Sequence, residues 1–182
     1  MRALLLSLLL CLPGVAAAAA GFTVTSPDIR NGATIPMVHV FTGCGGGNQS
    51  PALSWSGAPK DTQSYAITMF DPDAPTGSGW WHWTVVNIPA SVTSLPANAG
   101  AANSTTLPAG AVQGRTDFGF SNYGGPCPPI GDKPHHYIIT VYALKVPSMQ
   151  IDPQASGATV GFHLHFATLA RATLVGRWGR SN

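Results

Sequence analysis

The chain has 182 residues and a formal charge of +2, yet only 9% of its residues are charged, against about a quarter in ordinary globular proteins. Its nine Lys and Arg form no cluster, which excludes recognition of nucleic acid or a membrane surface by bulk charge. There is no Glu, so all seven acids are Asp, and two of them, Asp71 and Asp73, share one pentapeptide.

In chain order, Arg2 precedes an apolar run over 4–12, then Pro13-Gly14 and the small residues of 16–20. This is the layout of a cleavable export signal over 1–20, and it predicts a periplasmic or secreted protein. Leu10 stands before Cys11 where lipid attachment wants a small residue, which argues against a lipid anchor. No later stretch is apolar for long enough to anchor the chain, so no stable membrane anchor is expected. Residues 21–182 then form a single domain with enough length for a core.

The remaining chain reads as strands between Gly/Pro loops. Strands are expected over 34–41, 52–55, 64–70, 83–88 and 136–144. The near-continuous apolar character of the last three predicts central strands covered on both faces. Residues 43–48 are a Gly-rich loop, 97–106 a long surface loop, and 107–113 a short edge strand. A helix is expected over 157–169, opened by Ser156 with Val160, Leu164 and Ala167 at helical spacing, followed by a final strand over 170–178. The fold class is mostly β with one substantial helix. Cys44 and Cys127 are the only cysteines beyond the signal, and in an oxidising compartment such a pair reads as a disulfide. One reactive thiol beside one structural thiol is the competing reading.

Asp71 ends one strong strand and His82 precedes the next, with Pro72, Pro75, Gly77 and Gly79 between them. Antiparallel pairing would bring Asp71 and His82 to one edge of the sheet. The two prolines stiffen the connection. Trp80, Trp81 and Trp83 add aromatic surface, and apolar walls with few fixed polar groups make a small-molecule pocket. A second stiff loop, Tyr123-Gly124-Gly125-Pro126-Cys127-Pro128-Pro129, leads through Gly131 and Pro134 into His135-His136-Tyr137 at the start of the longest strand. His163 and His165, two apart on a helix, do not share a face and are read as surface or packing residues rather than metal ligands. His39 is read as a strand histidine with no special role.

These two loops, with Trp80-Trp81-His82-Trp83, resemble the paired signatures of the phosphatidylethanolamine-binding protein family, nearest its bacterial, Raf-kinase-inhibitor-like branch. Cys44 to Pro51 with Trp55, Gly110 to Gly119, and Ser156 to Leu169 also fit that branch, so the resemblance runs through nearly all of the chain after residue 20. It implies a large central sheet packed on a smaller sheet, with a C-terminal helix. It further implies a pocket for phosphate-like anions or phosphorylated head groups lined by Asp71, His82, His135 and Tyr137, with Gly125 and Pro129 on the rim and Trp80 at the mouth. Asp73, with Pro72 and Pro75, would brace the loop. The family's usual Arg between the second-loop His and Tyr is replaced by His136, which removes whatever that Arg contributes.

The expected function is non-catalytic binding of a small phosphorylated or anionic ligand, with no cofactor and no resident metal, and with a partner protein as a possible target of modulation. His82 and His135 would donate to anionic oxygens, better when protonated, and Tyr137 would offer a neutral donor. Asp71 would orient a His, take a proton from the ligand, or meet an ammonium group. One alternative is a metal-dependent hydrolase built from Asp71, Asp73, His82 and His135. It is weakened by the absence of a His-x-x-x-His pair, a Glu base and a nucleophile-elbow Ser. A third reading is an exported protein–protein effector acting through surface loops such as 97–106.

Overall fold

The computed structural model describes residues 21–180, so the expected signal segment 1–20 lies outside the described residues. Eight strands and one α-helix follow in the order β1 Thr23–Thr25, β2 Leu53–Ser56, β3 Ser64–Asp71, β4 Trp80–Pro89, β5 Ser94–Leu95, β6 Val112–Gln113, β7 His135–Leu144, α1 Gly157–Ala167 and β8 Thr168–Trp178. They build a large sheet in the order β6-β4-β3-β7-β8 and a small sheet in the order β1-β2-β5, and these strands pair with one another antiparallel throughout.

Alternation along the central strands decides which side chains go where. Tyr65, Ile67 and Met69 of β3, Trp83 and Val85 of β4, and Tyr137, Ile139 and Val141 of β7 share one face. They pack against Val24, Leu53, Trp55 and Leu95 of the small sheet to form the main core. The opposite face buries Ala66, Val86 and Leu144 under Val160, Leu164 and Ala167 of α1. Both faces of β3 and β7 are therefore covered, as their apolar sequences require. The Ser156 hydroxyl caps α1 by accepting from the Thr159 N–H. At its other end the Thr168 hydroxyl donates to the Leu164 carbonyl, and the chain passes directly into β8. No helix among the described residues is long and apolar enough to cross a membrane.

Three expectations are corrected. The strand expected over 34–41 is reduced to one parallel bridge, Thr34 to Arg177, before a 3-10 turn at Met37–His39. Pro36 has no N–H to continue the ladder, and the buried His39 donates from Nδ1 to the Gln49 carbonyl at 2.8 Å instead of sitting in a strand. The edge strand expected over 107–113 shrinks to Val112–Gln113, paired with Val85 and Val86. The helix ends at Ala167 and β8 begins at once, two residues earlier than the alternation of 170–178 suggested. The short strands β1 and β5, of three and two residues, carry too little pattern to be seen in sequence.

Candidate functional site

The ends of β3, β4 and β7 meet where the inner face of the large sheet runs out past the core. A register shift in the β3–β4 pairing is central to this. Met69 pairs with Trp83, but the next pair is Phe70 with Trp81, so His82 is the extra residue of a β-bulge. The bulge turns Trp81 to the outer face, where Phe70 and Gly157 of α1 meet its ring. Asp71 pairs with Trp80. His82 and Trp80 then line the same pocket as Asp71, His135 and Tyr137.

That pocket is about 240 Å³, smaller than the roughly 300–1,000 Å³ of drug-sized sites and suited to a head-group-sized ligand. Its floor is buried: Asp71 is 2% exposed, His82 3%, His135 4% and Tyr137 0%. Its walls are Trp80, Phe118, Pro75, Cys127, Pro128 and Pro129, with Ala74 and Thr76 completing the lining. Among the described residues no Lys or Arg lines it.

Each floor residue has a defined partner or a defined lack of one. Asp71 Oδ2 meets His135 Nδ1 at 2.8 Å, and Asp71 Oδ1 accepts from the Asp73 N–H at 2.8 Å, an Asx turn that starts the 72–79 loop. His135 Nε2 lies 3.3 Å from Asp132 Oδ2. His82 Nδ1 lies 2.7 Å from the Gly124 carbonyl. A carbonyl only accepts, so Nδ1 carries the proton and Nε2 of the neutral ring holds the lone pair. Burial pushes the His82 imidazolium down to about pKa 4, against the opposing pull of the Gly124 carbonyl and the Asp71 carboxylate. His82 is thus neutral at physiological pH, with its Nδ1–H held by the Gly124 carbonyl, so the strengthening by protonation expected from sequence is not available there. The Tyr137 hydroxyl is buried and has no hydrogen-bond partner among the described residues. Burial first, and the Asp71 charge second, raise its pKa further above the ordinary phenol value, so it stays a neutral donor.

The loops that close the pocket are tied to β4 by backbone hydrogen bonds. Gly124 N–H donates to the His82 carbonyl at 2.9 Å and Asp117 N–H to the Trp81 carbonyl at 3.0 Å. Asp117 Oδ2 accepts from the Trp81 N–H at 2.7 Å. This docking sets Phe118 edge-on to both Trp80 and His82, with ring centroids 5.4 Å away in each case. Cys44 and Cys127 are joined in a disulfide, so the reading of a free reactive thiol is overturned. Asp73 Oδ2 accepts from the His136 N–H and meets the His136 ring Nδ1, both at 2.7 Å. Burial pushes the Asp73 carboxyl up, but the backbone and ring hydrogen bonds from His136 outweigh it and hold the group below the usual range. His136 is thus engaged with the loop.

Of the expected pocket residues, Asp71, Trp80, His82, Pro129, His135 and Tyr137 are brought together, and Pro75, expected only as a loop brace, joins the lining. Gly125 is not on the rim. It is buried behind the wall, where a Cβ would lie 2.1 Å from the His39 carbonyl oxygen, and its N–H donates to Asn48 Oδ1 at 2.7 Å. Pro72 and Asp73 lie outside the lining. Sequence reasoning missed Phe118, whose Phe118-Gly119-Phe120 segment carries no strand or helix pattern, and Asp132, three residues before His135. His163 and His165 lie exposed on α1, outside this lining.

Two β-sheets, one helix on the outer face, and a polar-floored pocket at the end of the central strands define a β-sandwich class with an end-of-sheet site. The model of the family described as phosphatidylethanolamine-binding protein matches residues 25–179, and the chain belongs to that family. It is 54% identical over 176 residues to the UPF0098 protein YbcL of Escherichia coli K12, covering 96% of each chain. It is 49% identical to the UPF0098 protein YbhB of the same organism, over 82% of this chain and 94% of that one. The crystal structure of E. coli YbcL, described as a new member of the mammalian PEBP family, superposes with a TM-score of 0.86 at 55% identity, over 88% of this chain and 99% of that chain. The PEBP homologue CT736 of Chlamydia trachomatis superposes with a TM-score of 0.73 at 28% identity, over 88% and 98%.

Proposed function

We propose that this protein binds a small ligand carrying a phosphate or similar anionic group in the pocket floored by Asp71, His82, His135 and Tyr137, without turning it over. The observation that carries this is the Tyr137 hydroxyl, a buried donor without a protein partner at a pocket of head-group size. Leaving such a group unpaired costs about 1–3 kcal/mol, and a ligand oxygen recovers it. Asp71, already held by His135 and the Asp73 N–H, has lone pairs left to meet an ammonium or a ligand hydroxyl. The family's description as phosphatidylethanolamine-binding agrees with a ligand that combines the two.

Binding rather than hydrolysis is favoured by the donor set. Among the described residues no group of three or more His, Cys, Asp or Glu is placed to hold a metal ion. His135 is committed to two carboxylates and His82 to a carbonyl. Export is part of the same proposal. It rests on the composition of residues 1–20 and gains support from a Mycobacterium tuberculosis relative, 37% identical over 161 residues, that is described as a putative lipoprotein. Modulation of a partner protein would then follow from occupancy of the site.

The test is titration calorimetry with inorganic phosphate and with O-phosphoethanolamine. Saturable binding to the native protein, about tenfold weaker in the Tyr137→Phe protein, is expected. No heat with either compound, or undiminished affinity in the variant, would overturn the reading.

A further inference from the structure

The β8 edge of the large sheet is covered by its own chain only in part. Along the C-terminal half of β8 the segment 31–35 takes up the outward backbone groups. Gly32 N–H donates to the Val175 carbonyl, and Val175 N–H donates to Asn31 Oδ1. Ile35 N–H donates to the Arg177 carbonyl, and Arg177 N–H donates to the Ala33 carbonyl. In an antiparallel ladder successive residues bond alternately to one side and the other. The register of β8 against β7 is regular from Ala170 to Trp178. The backbone groups of Arg171 and Thr173 therefore point the same way as those of Val175 and Arg177. Among the described residues nothing pairs with them, and both residues are exposed. Two N–H groups and two carbonyls thus stand at an open edge. It is bounded by the Asn31-Gly32 turn at one end and by the register shift between Ala170 and Thr168 at the other.

The charge beside this edge has one sign. Arg171 and Arg177 lie on the outer face of β8, while Ala172 and Leu174 between them turn into the main core. Arg30 is exposed beside Asn31. None of the three arginines is in an ion pair among the described residues. Next to Arg171 a groove of about 510 Å³ runs between β8 and α1, lined by Tyr142, Leu164, His165 and Leu169 and by no acid among the described residues.

These charges decide what can pair there. Open edges invite other strands, and an edge charge selects among them. A second copy pairing β8 to β8 would set arginine against arginine. Residues 1–20 hold Arg2 and no acid, so they do not supply the missing charge. We infer that the β8 edge at Arg171 and Thr173 is a docking site for an extended acidic segment of a partner protein, which adds to the large sheet as a further strand. Its backbone pairs with Arg171 and Thr173, and a carboxylate on the outer face meets the Arg171 guanidinium. No residue of β8 lines the pocket floored by Asp71, so this site stands independently of the phosphate reading.

The probes are a set of end-blocked heptapeptides in which Val, Ile or Thr alternates with Asp or Glu, and the same set with Lys at every acidic position. Amide exchange in the isotope-labelled full-length protein is followed by NMR. The acidic set at millimolar concentration should slow exchange at Arg171 and Thr173 by about tenfold, and the Lys set should not. An Arg171→Glu protein should reverse this preference. A Thr173→Pro protein, whose ring an edge strand accepts where the N–H faces outward, should bind the acidic set about tenfold more weakly at an unchanged melting temperature. No protection by the acidic set, equal protection by both sets, or an unreversed preference in Arg171→Glu overturns the inference. So does protection of these two amides that rises with protein concentration in the absence of peptide, which would make a second copy the occupant. If Thr173→Pro does not fold, the native and Arg171→Glu proteins decide the matter. Each of these failures leaves phosphate binding untouched.

Discussion

His82 is buried as a neutral ring, and that has a cost in acid. Its folded-state pKa of about 4 lies below the ordinary histidine value of about 6.5. Between those two pH values the unfolded chain holds a proton that the folded chain refuses, so stability falls as the pH drops through that window. Above about 6.5 and below about 4 the contribution of this group no longer varies with pH. The loss from this group is expected to reach about 3 kcal/mol. Urea unfolding of the native and His82→Gln proteins at pH 7 and pH 4.5 should show a smaller pH difference in the variant. Tyr137 predicts the reverse balance. Its hydroxyl has no partner among the described residues, so Tyr137→Phe should leave the ligand-free protein as stable, or up to about 1 kcal/mol more stable, while it weakens phosphate binding. A site built for ligand rather than for folding is recognised by that opposition, which thermal melts with and without phosphate would record.

At the scale of elements, the bulge at His82 and the two Gly/Pro loops do the positioning. The 124–129 loop is fixed at its start, where the Gly125 N–H donates to Asn48 Oδ1 and the Phe41 N–H donates to the Pro126 carbonyl. The next residue is Cys127, and its bond to Cys44 holds the wall formed by Pro128 and Pro129. The disulfide spans 83 residues of sequence, and the loop-closure model gives about 4 kcal/mol at the upper end. A Cys44→Ser/Cys127→Ser protein should therefore unfold at a lower denaturant midpoint and bind phosphate more weakly. An unchanged midpoint on reduction with dithiothreitol would show that the bond constrains nothing. Gly125 shows why a loop motif is not a list of contacts. It is required because the chain passes against the His39 carbonyl, not because a ligand touches it.

For the whole molecule, the large sheet separates two cores with different jobs. The inner core against the small sheet continues into the pocket, whereas Leu164 of α1 belongs to the outer cluster with Ala66, Val86 and Leu144. Leu164→Ala should cost about 2–5 kcal/mol through the cavity it leaves, yet change phosphate affinity less than twofold. Chemical denaturation paired with calorimetry tests both halves of that statement. A large loss of affinity would mean that the two faces of the sheet are coupled.

The sequence by itself determined much of this protein. The long apolar strands 64–70 and 136–144, the helix opened by Ser156 and the cysteine pair could be read in it, because strand period, capping and Gly/Pro stiffness are local properties, whereas the joining of Asp71, His82, His135 and Tyr137 in one pocket was implied by the resemblance of the two loops to a known family. Three things were decided only in three dimensions. The register shift that admits His82 and turns Trp81 out depends on how β4 pairs with β3. Phe118 reaches the pocket because its loop docks on the backbone of β4, 36 residues away in sequence. The tautomer and neutrality of His82 follow from the Gly124 carbonyl and the depth of burial, 42 residues from the ring that they control. Each of these rests on contacts between distant segments, and no local pattern in the chain encodes them.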